Sequence, residues 1–113
     1  MIDVKPTVVN ALEGIGAIPV FYEAFIDSST PVPCITYLQT ANSDFIVGDT
    51  ITYSDLVFQI KVWSKLVSEL ETIGQQIDIT MKSLGFIRES GNQVFLEGLG
   101  QYILRYKALG YEK

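Results

Sequence analysis

Histidine is missing from the 113-residue sequence, and cysteine occurs once, at Cys34. Without histidine there is no side chain that titrates unperturbed near neutral pH, so Ser-His-Asp, Cys-His and histidine-based zinc chemistry are excluded. One cysteine cannot form a disulfide within the chain, and it fits synthesis in a reducing cytoplasm without requiring it. No apolar run approaches the ~20 residues that span a bilayer, and the opening MIDVKPTVVN lacks the basic and then apolar order of a secretory signal. A soluble protein with no membrane partner is therefore expected. Gly-x-Gly-x-x-Gly and Gly-x-x-x-x-Gly-Lys are also absent, so Gly14-Ile15-Gly16 and Gly98-Leu99-Gly100 read as structure breakers rather than phosphate loops.

What is present suits one domain. At 12.6 kDa, folding buries roughly two thirds of the unfolded chain's surface, which is enough for a core without staples. The net charge of −5 is unevenly placed. Residues 1–60 hold seven carboxylates against Lys5 alone, whereas residues 61–113 hold seven bases against six acids. Such polarity suits head-to-tail self-association better than binding a polyanion, and no basic stripe marks a sequence-specific nucleic-acid partner.

The pattern predicts an α+β fold in the order α-β-β-β-α-β-β-β: a mostly antiparallel sheet of about five or six strands with two helices on one face. Val4, Val8, Leu12 and Ile15 form a helical stripe that Asp3 can cap and that Gly14 and Gly16 end. Pro19 to Phe25 reads as a first strand. From Cys34 to Trp63 the chain reads as one long hairpin turning at Gly48-Asp49 between Val47 and Thr50, with Ile35 beside Val62, Tyr37 beside Ile60, and polar Gln39 beside Phe58. Leu66, Leu70, Ile73, Ile77, Met81 and Leu84 mark a second, amphipathic helix ended by Gly85. Phe86–Glu89 and Gln93–Leu96 flank a turn signal at Ser90-Gly91-Asn92, and Gln101–Leu109 alternates as a last strand.

Strands of about 14 residues would reach ~46 Å at ~3.3 Å per residue, further than so small a core can back. The tip, Asp44 to Tyr53, then reads either as a projecting two-stranded arm whose Phe45, Ile46, Val47, Ile51 and Tyr53 seek a partner, or as a loop folded over the core. Asp44, Asp49 and Asp55 lack the spacing of a calcium loop and read as solvated turn carboxylates. Ser64, where strand periodicity gives way to helix, lacks both a base and the Gly-x-Ser-x-Gly elbow, so it reads as a helix cap rather than a nucleophile. Trp63 falls on the face opposite Phe58, Ile60 and Val62, where it reads either as an interface anchor or as packing at the sheet's margin.

The first helix, the strand Pro31-Val32-Pro33-Cys34-Ile35-Thr36-Tyr37, the run Phe58-Gln59-Ile60-Lys61-Val62-Trp63-Ser64, the amphipathic helix and the closing Tyr102-Ile103-Leu104-Arg105-Tyr106 together resemble the tail-completion or tail-terminator proteins of long-tailed bacteriophages and prophages. The likeness covers nearly the whole chain. It implies a structural virion protein, not an enzyme, needing no cofactor or metal. Such proteins are made in the bacterial cytoplasm and assemble as a ring, typically hexameric, that caps the tail tube at the head–tail junction. The implied partners are other copies of the chain, the tail tube protein and the head completion or connector protein. Trp63, Asp44, Phe45, Val47, Asp49, Ile51 and Tyr53 are the expected interface residues. The contrasting expectation is a small bacterial regulatory domain that binds a ligand or a protein.

Overall fold

A computed structural model describes residues 4–16, 18–23, 29–47 and 51–112, with the side chains of 41–47, 51–54 and 109–112 left aside. The elements are α1 (Lys5–Glu13), β1 (Val20–Tyr22), β2 (Cys34–Val47), β3 (Ile51–Ser64), α2 (Val67–Ser83), β4 (Ile87–Leu96) and β5 (Leu99–Glu112). They form an α+β fold with one five-stranded sheet in the order β1-β2-β3-β5-β4. Every pairing is antiparallel except that of β1 with β2.

The hydrophobic periods explain which face is covered. Leu56, Phe58, Ile60 and Val62 alternate along β3, and they share a buried cluster with Ile35, Leu104 and Tyr106 from the neighbouring strands. Onto this face α1 brings Val8 and Leu12, and α2 brings Leu70, Ile73, Ile77 and Met81. Leu66, expected in the α2 stripe, instead precedes the first helical turn and is 57% exposed. The reason lies in its extended backbone, φ −118° and ψ 127°, which points it off the helical face. Asp3, the expected cap of α1, lies outside the described residues; Pro6 occupies the first turn of α1, where its missing N–H costs nothing.

Two parts of the sheet differ from the sequence pattern. Ser90-Gly91-Asn92 is not a turn; these residues pair with Arg105, Leu104 and Ile103 inside one continuous β4. Glycine serves close packing there, since a Cβ at Gly91 would lie 3.2 Å from Leu104 Cδ2 and 3.3 Å from Tyr102 Cε1. The turn falls at Glu97 (φ 53°) and Gly98 (φ 78°), the pair of positive φ values that a two-residue type I′ hairpin requires. Two strands therefore follow α2 where three were expected.

The long hairpin keeps its expected register from Cys34↔Trp63 to Gln39↔Phe58, then slips by one residue at Thr40, so that Ala41 pairs with Val57 and Val47 with Ile51. Thr40 is the extra residue of a β-bulge, and the slip displaces the expected Val47–Thr50 flanks; Gly48, Asp49 and Thr50 lie outside the described residues. The polar mismatch of the sequence pattern sits beside it: the Gln39 side-chain amide nitrogen is buried without a hydrogen-bond partner among the described residues. Finally, β5 continues to Glu112 and pairs it with Thr52, so the distal part of the hairpin is a three-stranded sheet, not a ribbon of two. The molecule extends 53 Å along its longest axis and 24 Å across the other two.

Candidate functional site

Ser64 occupies the corner between β3 and α2 and is fully buried. Its hydroxyl accepts the Leu66 backbone N–H at 3.0 Å and donates to Glu69 Oε1 at 2.7 Å. Ser64 is therefore not the expected cap: the N-cap is Leu66, which has no side-chain cap bond, and the serine, two residues ahead, holds the Leu66 N–H while its own hydroxyl is held by the carboxylate three residues into α2. Full burial keeps the hydroxyl from any substrate.

Trp63, the residue before it, lies on the opposite face of the sheet, beside Cys34 on β2 and Gln101 on β5. The half-buried indole donates its N–H to Thr36 Oγ1 at 3.0 Å, and the Lys61 ammonium stands 5.8 Å from the ring centre. Lys61 in turn pairs with Glu23 beyond β1. Thr36 and Cys34 are buried beneath, and burial pushes the Cys34 thiol up to about 11, which keeps it protonated and unreactive. No described helix covers this face.

A second polar cluster ties α2 to the sheet. The buried Tyr106 hydroxyl donates to Asp78 Oδ1 at 3.0 Å; Lys82 approaches Oδ2 at 2.8 Å, and Arg88 lies 3.9 Å from Oδ1. Burial alone would raise the Asp78 carboxyl, but hydrogen bonds from Lys82 and Tyr106 and the positive charges of Lys82 and Arg88 outweigh it and hold the group below the usual carboxylate range. Burial, then the bond to Asp78, pushes the Tyr106 phenol up. The adjoining depression, lined by Gly74, Asp78, Arg88 and Tyr102 among others, encloses ≈ 240 Å³, below the usual size of a small-molecule pocket. The Tyr106–Asp78 hydrogen bond and the Arg88–Asp78 pair join helix and sheet, and Lys82 braces the carboxylate from within α2.

The expected arm residues are placed by their backbones: Asp44 pairs with Ser54, Phe45 with Tyr53 and Val47 with Ile51, all along β2 and β3. Asp49 lies outside the described residues. The arm and Trp63 are not brought together, since Trp63 stands at the opposite end of β3.

The structure adds one surface that the sequence pattern did not single out. All ten residues of β4 are exposed, and it is the last strand of the sheet. Ile87 is 73% exposed, Leu96 66%, Phe95 47% and Val94 38%. Soluble proteins usually protect such edges with charge, proline or bulges. Here the bulge at Glu89 guards only the Ile87 end. The signal is the run Val94-Phe95-Leu96, which reads as the arm of a short hairpin only while Ser90-Gly91-Asn92 reads as its turn.

No family model matches the chain, and no curated protein matches it. Among the described residues no group of three or more acidic or cysteine side chains could hold a metal ion, and no helix is long and apolar enough to cross a membrane.

Proposed function

We propose that the chain is a structural virion subunit, a tail terminator or tail-completion protein that assembles with copies of itself into a ring at the end of a phage tail tube and meets the head connector there. The observation that carries this reading is the exposed apolar edge strand β4 on a sheet that runs the length of a 53 Å molecule. A monomer gains nothing from leaving four large apolar side chains on an unpaired edge, whereas an assembling subunit buries them. The resemblance carried by the Trp63-Ser64 joint and its flanking strands supplies the phage context, and the acidic first half suits a lumen through which DNA must slide. Depressions of ≈ 240 to ≈ 340 Å³ lie below or at the lower end of the small-molecule range, which favours assembly over a small-ligand regulatory domain.

The test combines light scattering with a polymerisation assay. The purified chain is expected to form a species of several subunits, alone or on tube ends, and to stop elongation of tail tube protein. A chain that is monomeric at every concentration and leaves tube growth unaltered removes the reading.

A further inference from the structure

We infer that the free edge of β4 takes the distal edge of β2, residues 39–47, from a second copy of the chain, joining copies head to tail in one continuous sheet. The inference rests on the ring reading above and names the surfaces that would close it.

Two edges of the sheet are open among the described residues, and they match in length. On one side β4 offers Ile87–Leu96. On the other, β1 covers β2 only as far as Tyr37, leaving the strand from Leu38 to Val47 without a described neighbour. Direction matches as well: β4 runs antiparallel to β5, β5 to β3, and β3 to β2, so β4 and β2 point opposite ways within one copy. A second copy set alongside in the same orientation therefore presents β2 antiparallel to β4, the ladder that is slightly more stable per residue.

Hydrogen-bond parity limits the register to every second residue. The Ile35 N–H donates to Pro19 O at 2.9 Å, so residues 35, 37 and 39 turn their backbone groups away from β3, and the extra residue at Thr40 moves this set to 42, 44 and 46. Carrying the alternation across β3 and β5 makes Gly91, Gln93 and Phe95 the outward-facing residues of β4, the same set that the tight turn at Glu97-Gly98 gives independently. Setting outward residues opposite one another near the middle of both edges places Gln93 beside Asn42 and Gly91 beside Asp44.

Geometry permits closure. In this register each copy is displaced by about six rows, ~20 Å along the strands, for every four strands, ~19 Å across them. Strands then incline by ~45° to the axis, at the upper end of the range closed β-barrels adopt.

The experiment uses the full chain in two single variants, Gln93→Pro and Asn42→Pro, each removing one outward N–H at a place where proline is tolerated on an edge. Each variant alone is expected to be monomeric by light scattering, at the wild-type far-ultraviolet circular dichroism. Mixed in equal amounts they are expected to give one-to-one dimers and nothing larger, because each keeps the edge the other lacks. If Asn42→Pro alone forms dimers and Gln93→Pro does not, β4 pairs with β4 and the proposal is overturned. If wild type and both variants all assemble alike, the edge assignment fails while the ring reading stands; a wild type that never assembles, alone or on tubes, removes both. Should either variant unfold, hydrogen exchange on the wild type decides: the amides of Gln93, Phe95, Asn42 and Asp44 gain at least tenfold protection in the assembled species, and unchanged exchange there overturns the proposal.

Discussion

Ser64 shows how one missing residue type redirects a site. With no histidine to act as base, a buried serine between a backbone N–H and a carboxylate is a structural joint. Replacing it with alanine frees the Leu66 N–H and strips Glu69 of its donor. Ser64→Ala is expected to lower stability by about 1 kcal/mol, the usual cost of losing a helix-start hydrogen bond, read as a shift of the urea midpoint at unchanged slope. Asp78 has a pH signature. Its folded pKa is depressed, so its stabilising effect is complete above the unfolded value of about 3.9 and fades as the pH falls through the lower folded value. Asp78→Asn is expected to cost about 1 kcal/mol at pH 7, since the side-chain oxygen still accepts from Tyr106 while the charge is lost. The gap between variant and wild type should narrow in acid unfolding curves as the pH falls below about 3.9; a gap that is constant with pH would contradict the assignment.

At the scale of elements, period was legible and spacing between elements was not. The α2 stripe of Leu70, Ile73, Ile77 and Met81 and the β3 alternation from Leu56 to Val62 both carry strong one-sided patterns, and both lie where those patterns put them. The Ser90-Gly91-Asn92 turn misled because a glycine in a strand looks like a bend when it in fact serves close approach, and nothing in a single chain records which neighbour comes near. The bulge at Thr40 was likewise hidden: a one-residue slip depends on the partner strand, though Gln39 opposite Phe58 marked the spot. The face of Trp63 was legible because alternation alone sets it. Gly74 belongs with Gly91. It sits in mid-helix where a Cβ would come within 2.7 Å of Tyr102 Cδ2, so the ring of β5 lies directly on the helix backbone. Gly74→Ala would gain about 1 kcal/mol of helix propensity in isolation. Crowding against the half-buried ring is expected to reverse the sign, giving a net loss of about 1 kcal/mol by thermal unfolding.

For the whole molecule, the decisive feature is length beyond what the two helices cover. The described buried cluster reaches along β3 from Val62 to Leu56, while the sheet runs on to Ile51 with β2 on one side and β5 on the other. Three strands rather than two make this extension a stable platform. Changing Phe45, Val47 and Ile51 together to serine is expected to leave the folded domain intact, with its circular dichroism and cooperative melting retained, while self-association or tube binding is lost. Loss of the folded state would instead assign these residues to the core.

The chain also has one tryptophan, and its placement makes it an optical reporter. Because the Trp63 indole is half-buried on the face without helices, its emission responds to whatever arrives on that face and little to repacking under α2. A copy or a tail component settling there would expel water from the ring and move the emission to shorter wavelength. Docking confined to the sheet edges would leave the spectrum as it was. Intrinsic fluorescence therefore separates contacts made through the face from contacts made through the edges, with no label added.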